Sequence, residues 1–226
     1  AQALILGGQV WVEGKKVEKA GHAFLNDIPL EIRGSKSPFV SRGGQKLDHA
    51  LQTFDIKPAG WAVLDIGAST GGFTDCLLKA GAQAVTAVDV GYGQLAWSLR
   101  QDPRVKVFEK TNIRNFSPNE IEAPVDAITI DVSFISLKKV IPLLPPFLKP
   151  QGCVIALVKP QFEVTRQEVG KKGVVKDPTL HQRVIQEIKD CFEKQGFRVC
   201  GETLSPLLGP EGNKEFLIWA TLTNTA

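Results

Sequence analysis

A buried strand that runs into a glycine-rich turn constrains the fold of this chain more than any other feature. Residues 61–64 are apolar, residues 65–72 read DIGASTGG, and an amphipathic segment begins at Phe73. This pattern predicts a strand, a tight turn and a helix. Such a turn lets the backbone approach a ligand closely and directs free helix N–H groups towards it. We therefore expect a ligand-binding turn, with an ordinary helix start as the alternative.

The residues of this turn suit a cationic or neutral ligand better than a dinucleotide. If Gly67 is the first glycine of a G-x-G-x-x-G fingerprint, Ser69 takes the second place and Gly72 the third. The serine would crowd a pyrophosphate, and the carboxylate of Asp65 would repel one. S-adenosylmethionine (SAM) carries a sulfonium and an ammonium group and fits these demands. A nicotinamide dehydrogenase is disfavoured, also because the chain has no residue set for hydride chemistry.

The next predicted strand, residues 84–90, places Asp89 roughly 20 residues beyond the turn. An acid at this position binds ribose hydroxyls in SAM and NAD sites alike, and the alternative is a solvated strand-end aspartate. The predicted ligand contacts are Asp65, Gly67, Ala68, Ser69, Thr70, Gly71, Gly72, Phe73, Asp89, Val90, Asn112 and Asp131. Asn112 is included by analogy with methyltransferases, where the segment after the following strand commonly contacts the adenine.

Two more predicted strands end in residues that carry chemistry. Residues 127–133, AITIDVS, form a β-branched strand that ends at Asp131, and residues 153–158 lead to Lys159 in the segment LVKPQFE. Ligands in open α/β sheets bind outside the carboxyl ends of the strands, so both side chains face one crevice. Glu215 begins the last strand, and it lies at the same edge if that strand is antiparallel.

Lys46 lies near the start of a predicted helix, residues 45–54. It is off the apolar stripe of this helix, so the pattern alone predicts an exposed lysine.

Strands and helices alternate through most of the chain, which predicts a doubly wound α/β domain. The predicted strands are 62–65, 84–89, 105–109, 126–131, 153–158, 197–204 and 215–222, and the predicted helices are 45–54, 72–80, 93–100, 136–147 and 178–195.

Composition narrows the class of protein. The chain has 226 residues, of which 43% are hydrophobic, enough for one α/β domain with a small appendage. No apolar run is long enough to span a bilayer, and the first ten residues lack the basic and apolar regions of a secretory signal, so we expect a cytoplasmic protein. The four cysteines and three histidines are scattered, and they support neither a metal site nor a disulfide framework.

The net charge is only +3, but basic residues cluster locally. Lys36 and Arg42 lie in one short stretch, and Arg166, Lys171 and Lys172 lie in a glycine-bearing segment. We expect these residues to contact RNA, with a solvated surface as the alternative.

The first 34 residues resemble the later part of an S4 RNA-binding domain. An apolar helix end is followed by a strand at Val10–Glu13, a turn at Gly14, and a second strand near Ile28–Ile32. The resemblance implies that the first helices of such a domain would precede Ala1, so residues 1–34 are a partial S4 domain. A small β-appendage that packs on the main domain is the alternative. Residues 35–42 are a predicted linker, and residues 43–226 form the main domain.

Five segments in this order resemble the TlyA family: RGGQKLDHAL, VLDIGASTGGFTDCLL, TIDVSFISL, LVKPQFE and NKEFLIW. Members of this family are called hemolysins or ribosomal-RNA methyltransferases with an FtsJ-like catalytic domain. The resemblance implies a class I SAM-dependent methyltransferase fold and a Lys-Asp-Lys-Glu tetrad, which falls on Lys46, Asp131, Lys159 and Glu215. It also implies 2′-O-methylation of ribosomal RNA or ribosomal subunits, at cytidine.

The tetrad suits this chemistry. A ribose hydroxyl is a weak nucleophile and must lose its proton as the methyl group is attacked. Lysine is a base only when neutral, and burial beside a second cation favours the neutral form, whereas nearby carboxylates oppose it. We expect Lys159 to be the base, helped by Lys46, with Asp131 orienting its amine and Glu215 holding Lys46 and the ribose. Salt bridges that only hold strand ends together are the alternative.

Two other functions would use the same sequence differently. A membrane-active hemolysin would need an exposed amphipathic or spanning segment, and the best amphipathic helix, 178–195, has the pattern of a sheet-packing element. An RNA-binding module with an inactive methyltransferase fold would not bind SAM, which calorimetry can test.

Overall fold

The computed structural model describes residues 5, 10–17, 21–22, 24, 27–32 and 38–223, with the backbone alone for Lys171 and Pro210. The chain divides into two compact units, residues 1–37 and residues 38–226. The boundary falls inside the predicted linker, because residues 38–42 belong to the large unit. The predicted N-terminal helical fragment, apart from residue 5, and residues 35–37 of the linker lie outside the described residues.

The small unit contains a three-stranded antiparallel sheet. Strand β1 (Val10–Val12) lies between β2 (Lys15–Lys16) and β3 (Leu30–Ile32). Val10 and Val12 are buried and alternate with a half-buried residue, as the period of a strand requires. Two of these strands were expected from the sequence, and β2 was not.

The large unit alternates strands and helices. In chain order its elements are α1 (Arg42–Thr53), β4 (Ala62–Ile66), α2 (Gly72–Lys79), β5 (Ala84–Val88), α3 (Trp97–Arg100), β6 (Val105–Phe108), β7 (Val125–Ile130), β8 (Leu148–Val158), α4 (Pro178–Lys194), β9 (Phe197–Leu204) and β10 (Phe216–Leu222).

These seven strands form one sheet in the order β6-β5-β4-β7-β8-β10-β9. Strands β4 to β8 pair in parallel, and β10 is antiparallel to both of its neighbours, β8 and β9. The predicted α/β sheet with an antiparallel last strand is therefore confirmed.

Alternate side chains of the central strands enter two separate cores. Leu64 and Ile66 belong to the cluster that also contains the buried face of α4. Val63 belongs to the cluster on the opposite face, together with Leu47 of α1 and Leu77 of α2. Burial on both faces explains why these strands are continuous apolar runs, as is typical of parallel sheets.

Two predicted helices are wrong in extent. The segment predicted as a helix at 136–147 forms three short 3₁₀ turns, Leu137–Lys139, Ile141–Leu143 and Pro145–Phe147. Its prolines lack the N–H groups that a continuous α-helix needs. The helix predicted at 93–100 is reduced to α3, because a carboxylate binds the backbone before it: Glu109 accepts from the N–H of Gly93 at 2.9 Å. Helix α1 begins three residues earlier than predicted.

The chain order creates a switch point in the sheet. From β4 the chain moves outwards to β5 and β6 and then returns to β7 on the other side of β4. The loops after β4 and β7 therefore leave the sheet in opposite directions and open a crevice between them, where open α/β sheets bind ligands. Asp131 follows β7 at this point, and its N–H donates to the carbonyl of Ile66 at 2.9 Å.

Candidate active site

The turn after β4 has a backbone that only glycine fits at its first position. Gly67 has φ +85°, and a Cβ added to it would lie 2.5 Å from the backbone oxygen of Asp131. Its N–H donates to the carbonyl of Val88 at 2.8 Å, which ties the turn to β5. The glycine therefore lets the strand ends of β4 and β7 approach each other closely at the switch point.

Asp65 lies beneath the turn instead of facing a cavity. Its side chain is fully buried, and its two carboxylate oxygens accept hydrogen bonds from the hydroxyls of Thr74 at 2.6 Å and Thr129 at 2.9 Å. Burial raises the pKa of Asp65 to about 6, and the two hydroxyls oppose this rise. The predicted direct ligand contact of Asp65 is thus corrected, because the residue braces the turn from below.

A long cleft of about 960 Å³ extends from the turn along the carboxyl ends of β4, β5 and β7. Asp89 is half-buried in its wall, and its carboxylate accepts from the N–H groups of Ser69 at 2.8 Å and Gly91 at 2.6 Å. The predicted contacts that line this cleft are Gly67, Ser69, Asp89, Val90, Asn112 and Asp131.

A small pocket of about 340 Å³ adjoins the turn on its other side. Its lining includes all four members of the tetrad, Lys46, Asp131, Lys159 and Glu215, although they come from α1 and from the ends of three different strands or loops. The predicted contacts Ala68, Thr70, Gly72 and Phe73 line this small pocket and not the long cleft. Gly71 lines neither cavity. It lies against the side chains of Leu95 and Leu99, which a Cβ at this position would overlap.

The long cleft and the small pocket meet at three residues, Gly67, Ser69 and Asp131, which line both. A group bound in the long cleft can therefore reach a group bound in the small pocket past Asp131.

Lys46 and Glu215 form a buried ion pair. The Nζ of Lys46 donates to the Oε2 of Glu215 at 2.5 Å, and Lys46 is only 9% exposed. The expectation of an exposed Lys46 is therefore wrong, because its partner closes over it. The other oxygen of Glu215, Oε1, is buried and has no hydrogen-bond partner among the described residues. A Cβ on Gly209 would overlap this oxygen, so glycine is required beside it.

Lys159 is held by two groups. Its Nζ lies 2.6 Å from the Oδ1 of Asp131 as an ion pair and donates a hydrogen bond to the hydroxyl of Ser133 at 2.9 Å. Ser133 was missed by the sequence analysis. It lies two residues after Asp131 in the segment TIDVS, and this spacing at a strand end was the available signal.

An exposed aromatic ring stands at the rim of the long cleft. Phe134 is 90% exposed, has φ +63°, and its ring centroid lies 5.0 Å from that of Phe162. A large side chain held in solvent by a left-handed backbone is unusual, and outliers of this kind concentrate at functional sites. No pattern in the sequence indicated this residue.

Several basic residues predicted to contact RNA surround the same edge of the sheet. Arg42 lines the small pocket, and Arg166 and Lys172 are exposed; in the described part of the chain none of the three has an ion pair. Lys36 lies outside the described residues, and the side chain of Lys171 is not described.

Comparison with known proteins identifies relatives across the chain. Residues 39–222 match the family described as FtsJ-like methyltransferase. The 16S/23S rRNA (cytidine-2′-O)-methyltransferase TlyA of Mycobacterium tuberculosis is 46% identical over 97% of this chain and 82% of its own length. A solved structure from Streptococcus thermophilus, provisionally named a hemolysin, is 41% identical over 99% of this chain and 82% of that chain, with a TM-score of 0.85. A Listeria monocytogenes structure, provisionally named an S-adenosylmethionine-dependent methyltransferase, shares the fold at 20% identity over 81% of this chain and all of its own, with a TM-score of 0.60.

The hemolysin name raises the question of a membrane segment. Within the described ranges, no helix combines the length and the apolar character needed to cross a bilayer.

Proposed function

Because the chain belongs to the FtsJ-like methyltransferase family, we propose that it transfers a methyl group from SAM to the 2′-oxygen of a cytidine ribose in ribosomal RNA. One observation carries the proposal. The four tetrad residues, 169 positions apart in the case of Lys46 and Glu215, converge in the small pocket at the point where it joins the long cleft. The name of the mycobacterial relative supports cytidine and ribosomal RNA as the substrate.

The long cleft fits SAM in size and in polarity. A cleft of about 960 Å³ is within the range that accommodates small molecules and cofactors. The carboxylate of Asp89 is oriented by two backbone N–H groups, which leaves it able to accept hydrogen bonds from ribose hydroxyls. SAM, when bound, supplies an electrophilic methyl group on a sulfonium. Gly67, Ser69 and Asp131 are the residues that would lie beside that group, because they line both cavities.

Lys159 is the proposed base. Asp131 and Ser133 hold two sides of its amine and leave the third direction for the substrate. To act as a base, the amine must first give up a proton to solvent. It then takes the proton of the 2′-hydroxyl as the oxygen bonds to the methyl carbon, while the bond from that carbon to the sulfonium sulfur breaks and leaves a neutral thioether. The proton transfer restores the ammonium, which pairs with Asp131 as in the structure.

Lys46 and Glu215 form the opposite wall of the small pocket. The free Oε1 of Glu215 can accept a hydrogen bond from a ribose hydroxyl, which would satisfy a buried acceptor that has no partner among the described residues. Holding the ribose in this way orients the attacking oxygen, and orientation supplies much of the rate in such transfers.

RNA would approach from the carboxyl edge of the sheet. Arg42 at the mouth of the small pocket, the exposed Arg166 and Lys172, and the ring of Phe134 offer phosphate contacts and a surface for base stacking. We further propose that residues 1–34, which resemble the later part of an S4 RNA-binding domain, dock on RNA.

The experiment that tests this proposal combines the protein with ribosomal subunits or ribosomal RNA and SAM labelled in its methyl group. We expect label in the RNA, and a loss of about 10²–10⁴ in rate for Lys159→Ala. Lys57→Ala, which removes an exposed lysine that does not line the small pocket, is the matched control and should have the activity of the wild type. Equal rates for both variants would refute Lys159 as the base, and calorimetry without any SAM binding would favour an inactive fold that only binds RNA.

A further inference from the structure

Two loops lie at the carboxyl edge of the sheet, and one of them lines the small pocket. The first, residues 165–176, is here called the basic loop and includes Arg166, Lys172 and Lys176. The second, residues 205–215, is here called the closing loop, because Gly209 lies against Glu215 and both line the small pocket. The basic loop itself does not line that pocket.

A single buried amide joins these two loops. Asn213 is 3% exposed and belongs to the closing loop. Its Nδ2 donates to the carbonyl of Gly173 at 3.0 Å, and its Oδ1 accepts from the N–H of Val175 at 3.0 Å. Its own backbone carbonyl accepts from the N–H of Gly209 at 2.8 Å. Asn213 thus binds the tip of the basic loop with its side chain and the residue beside Glu215 with its backbone.

The tip of the basic loop is held in a strained conformation. Lys172 and Gly173 have consecutive positive φ values of 63° and 75°. A lysine in this region of backbone space costs free energy unless surrounding contacts enforce it. Asn213 provides two of those contacts. A second anchor is His181, whose Nε2 donates to the carbonyl of Val175 at 2.9 Å.

The cations of the basic loop are available to a ligand. Its acid, Glu168, is engaged by Arg183, and this hydrogen bond lowers the pKa of Glu168 to about 2. Arg166, Lys172 and Lys176 are exposed and have no ion pair within the ranges that the structure describes. An exposed, uncompensated cluster of this kind fits a phosphate backbone.

We propose that Asn213 is a positioning residue that couples RNA backbone contact at the basic loop to the geometry of the acceptor ribose beside Glu215. The inference rests on the proposed function. Phosphates bound by the basic loop are held at a fixed position relative to the closing loop. The ribose to be methylated therefore enters the small pocket in the correct position relative to Glu215. The long cleft does not share these contacts, so SAM affinity is independent of Asn213.

The test measures methyl transfer and SAM binding in matched variants of the full chain. Asn213→Ala raises the KM for ribosomal RNA about tenfold and lowers kcat, because the N–H of Val175 and the carbonyl of Gly173 lose their partner and the loop tip is released. The dissociation constant of SAM stays within about twofold of the wild type. Asn119→Ala, at an exposed asparagine outside both loops, is the control and behaves as the wild type. Asn213→Asp keeps the acceptor for the N–H of Val175, removes the donor to the carbonyl of Gly173 and opens no cavity. It therefore replaces the alanine variant in the test if the alanine variant does not fold.

A double-mutant cycle separates positioning from a general loss of structure. Lys172→Gln in the wild type raises the RNA KM several-fold and reduces the slope of log affinity against log salt by about 0.7–0.9, the value for one phosphate contact. In the Asn213→Ala or Asn213→Asp background, Lys172→Gln raises the KM for RNA by less than about twofold, because the loop no longer holds Lys172 in position. The inference is overturned if the Asn213 variants have the same KM for RNA as Asn119→Ala. It is also overturned if Lys172→Gln changes this KM by the same factor in the wild type and in the Asn213 variants. A wild-type protein that methylates no ribosomal RNA refutes the proposed function instead.

Discussion

The buried ion pair between Lys46 and Glu215 leads to a prediction of large magnitude. Glu215→Gln keeps the shape of the side chain but leaves the Lys46 ammonium without its carboxylate in a site that is almost closed to water. Removing one partner of a buried pair typically costs about 3–5 kcal/mol. The Lys46 side chain retains slight exposure, so we expect the lower end, about 3 kcal/mol.

Urea denaturation and thermal unfolding measure this cost. For a unit of this size, 1 kcal/mol shifts the Tm by about 2–4 °C, so Glu215→Gln should lower the Tm by about 6–12 °C. Glu202→Gln is the matched control, because Glu202 is 44% exposed and pairs with Lys189 at the surface. Glu202→Gln should lower the free energy of unfolding by less than about 1 kcal/mol.

The double variant Lys46→Met with Glu215→Gln distinguishes the cause. Removing both charges leaves no uncompensated cation, so the double variant should recover most of the lost stability. A Glu215→Gln protein as stable as Glu202→Gln would refute the argument. A double variant less stable than either single variant would refute it too, since packing and not charge would then dominate.

Three further predictions concern the turn, its brace and the rim of the long cleft. Gly67→Ala should lower the free energy of unfolding by about 2–6 kcal/mol, because backbone strain and a clash with the backbone of Asp131 add. Gly93→Ala is the control and should lower it by about 1–2 kcal/mol, because Gly93 also has a positive φ but open space around it. Equal urea midpoints for the two variants would contradict this prediction. The pKa of Asp65 is raised from 3.8 to about 6, so its contribution to stability is present below pH 4 and lost as the pH rises through 6, a change of about 3 kcal/mol. Stability measured from pH 4 to pH 7 should therefore fall more for the wild type than for Asp65→Asn, and parallel profiles would contradict the assignment. Phe134→Ala should weaken RNA binding by about 1–3 kcal/mol and leave SAM affinity unchanged. Trp97→Ala is the control, because Trp97 is an exposed ring that lines neither cavity. An equal loss of RNA binding in both variants would exclude a stacking role for Phe134.

The sheet could be predicted from sequence because its strands are buried on both faces and carry unbroken apolar runs. Asp131 and Lys159 could be placed for the same reason, since each directly follows such a run. The helix predicted at 136–147 was wrong because apolar spacing continues through prolines that break the hydrogen-bond ladder.

The burial of Lys46 and of Asp65 could not be predicted from local sequence patterns, and only the family resemblance implied that Glu215 holds Lys46. A helical pattern describes one face of α1, whereas Glu215, which covers Lys46, lies 169 positions away in the sequence. Asp65 reads as a strand-end acid open to a ligand, and only the hydroxyls of Thr74 and Thr129 show that it points into the protein. Contacts between distant segments decide both cases, and they leave no local signal in the sequence.

The chemical position of the transferred methyl group distinguishes a ribose 2′-O-methyltransferase from an enzyme that methylates a base. Ribosomal RNA treated with the protein and labelled SAM would be digested to nucleosides and analysed by mass spectrometry. We expect 2′-O-methylcytidine as the labelled product and no label in RNA that carries 2′-deoxycytidine at the modified position. Label on a base, or undiminished label in the deoxy substrate, would contradict it.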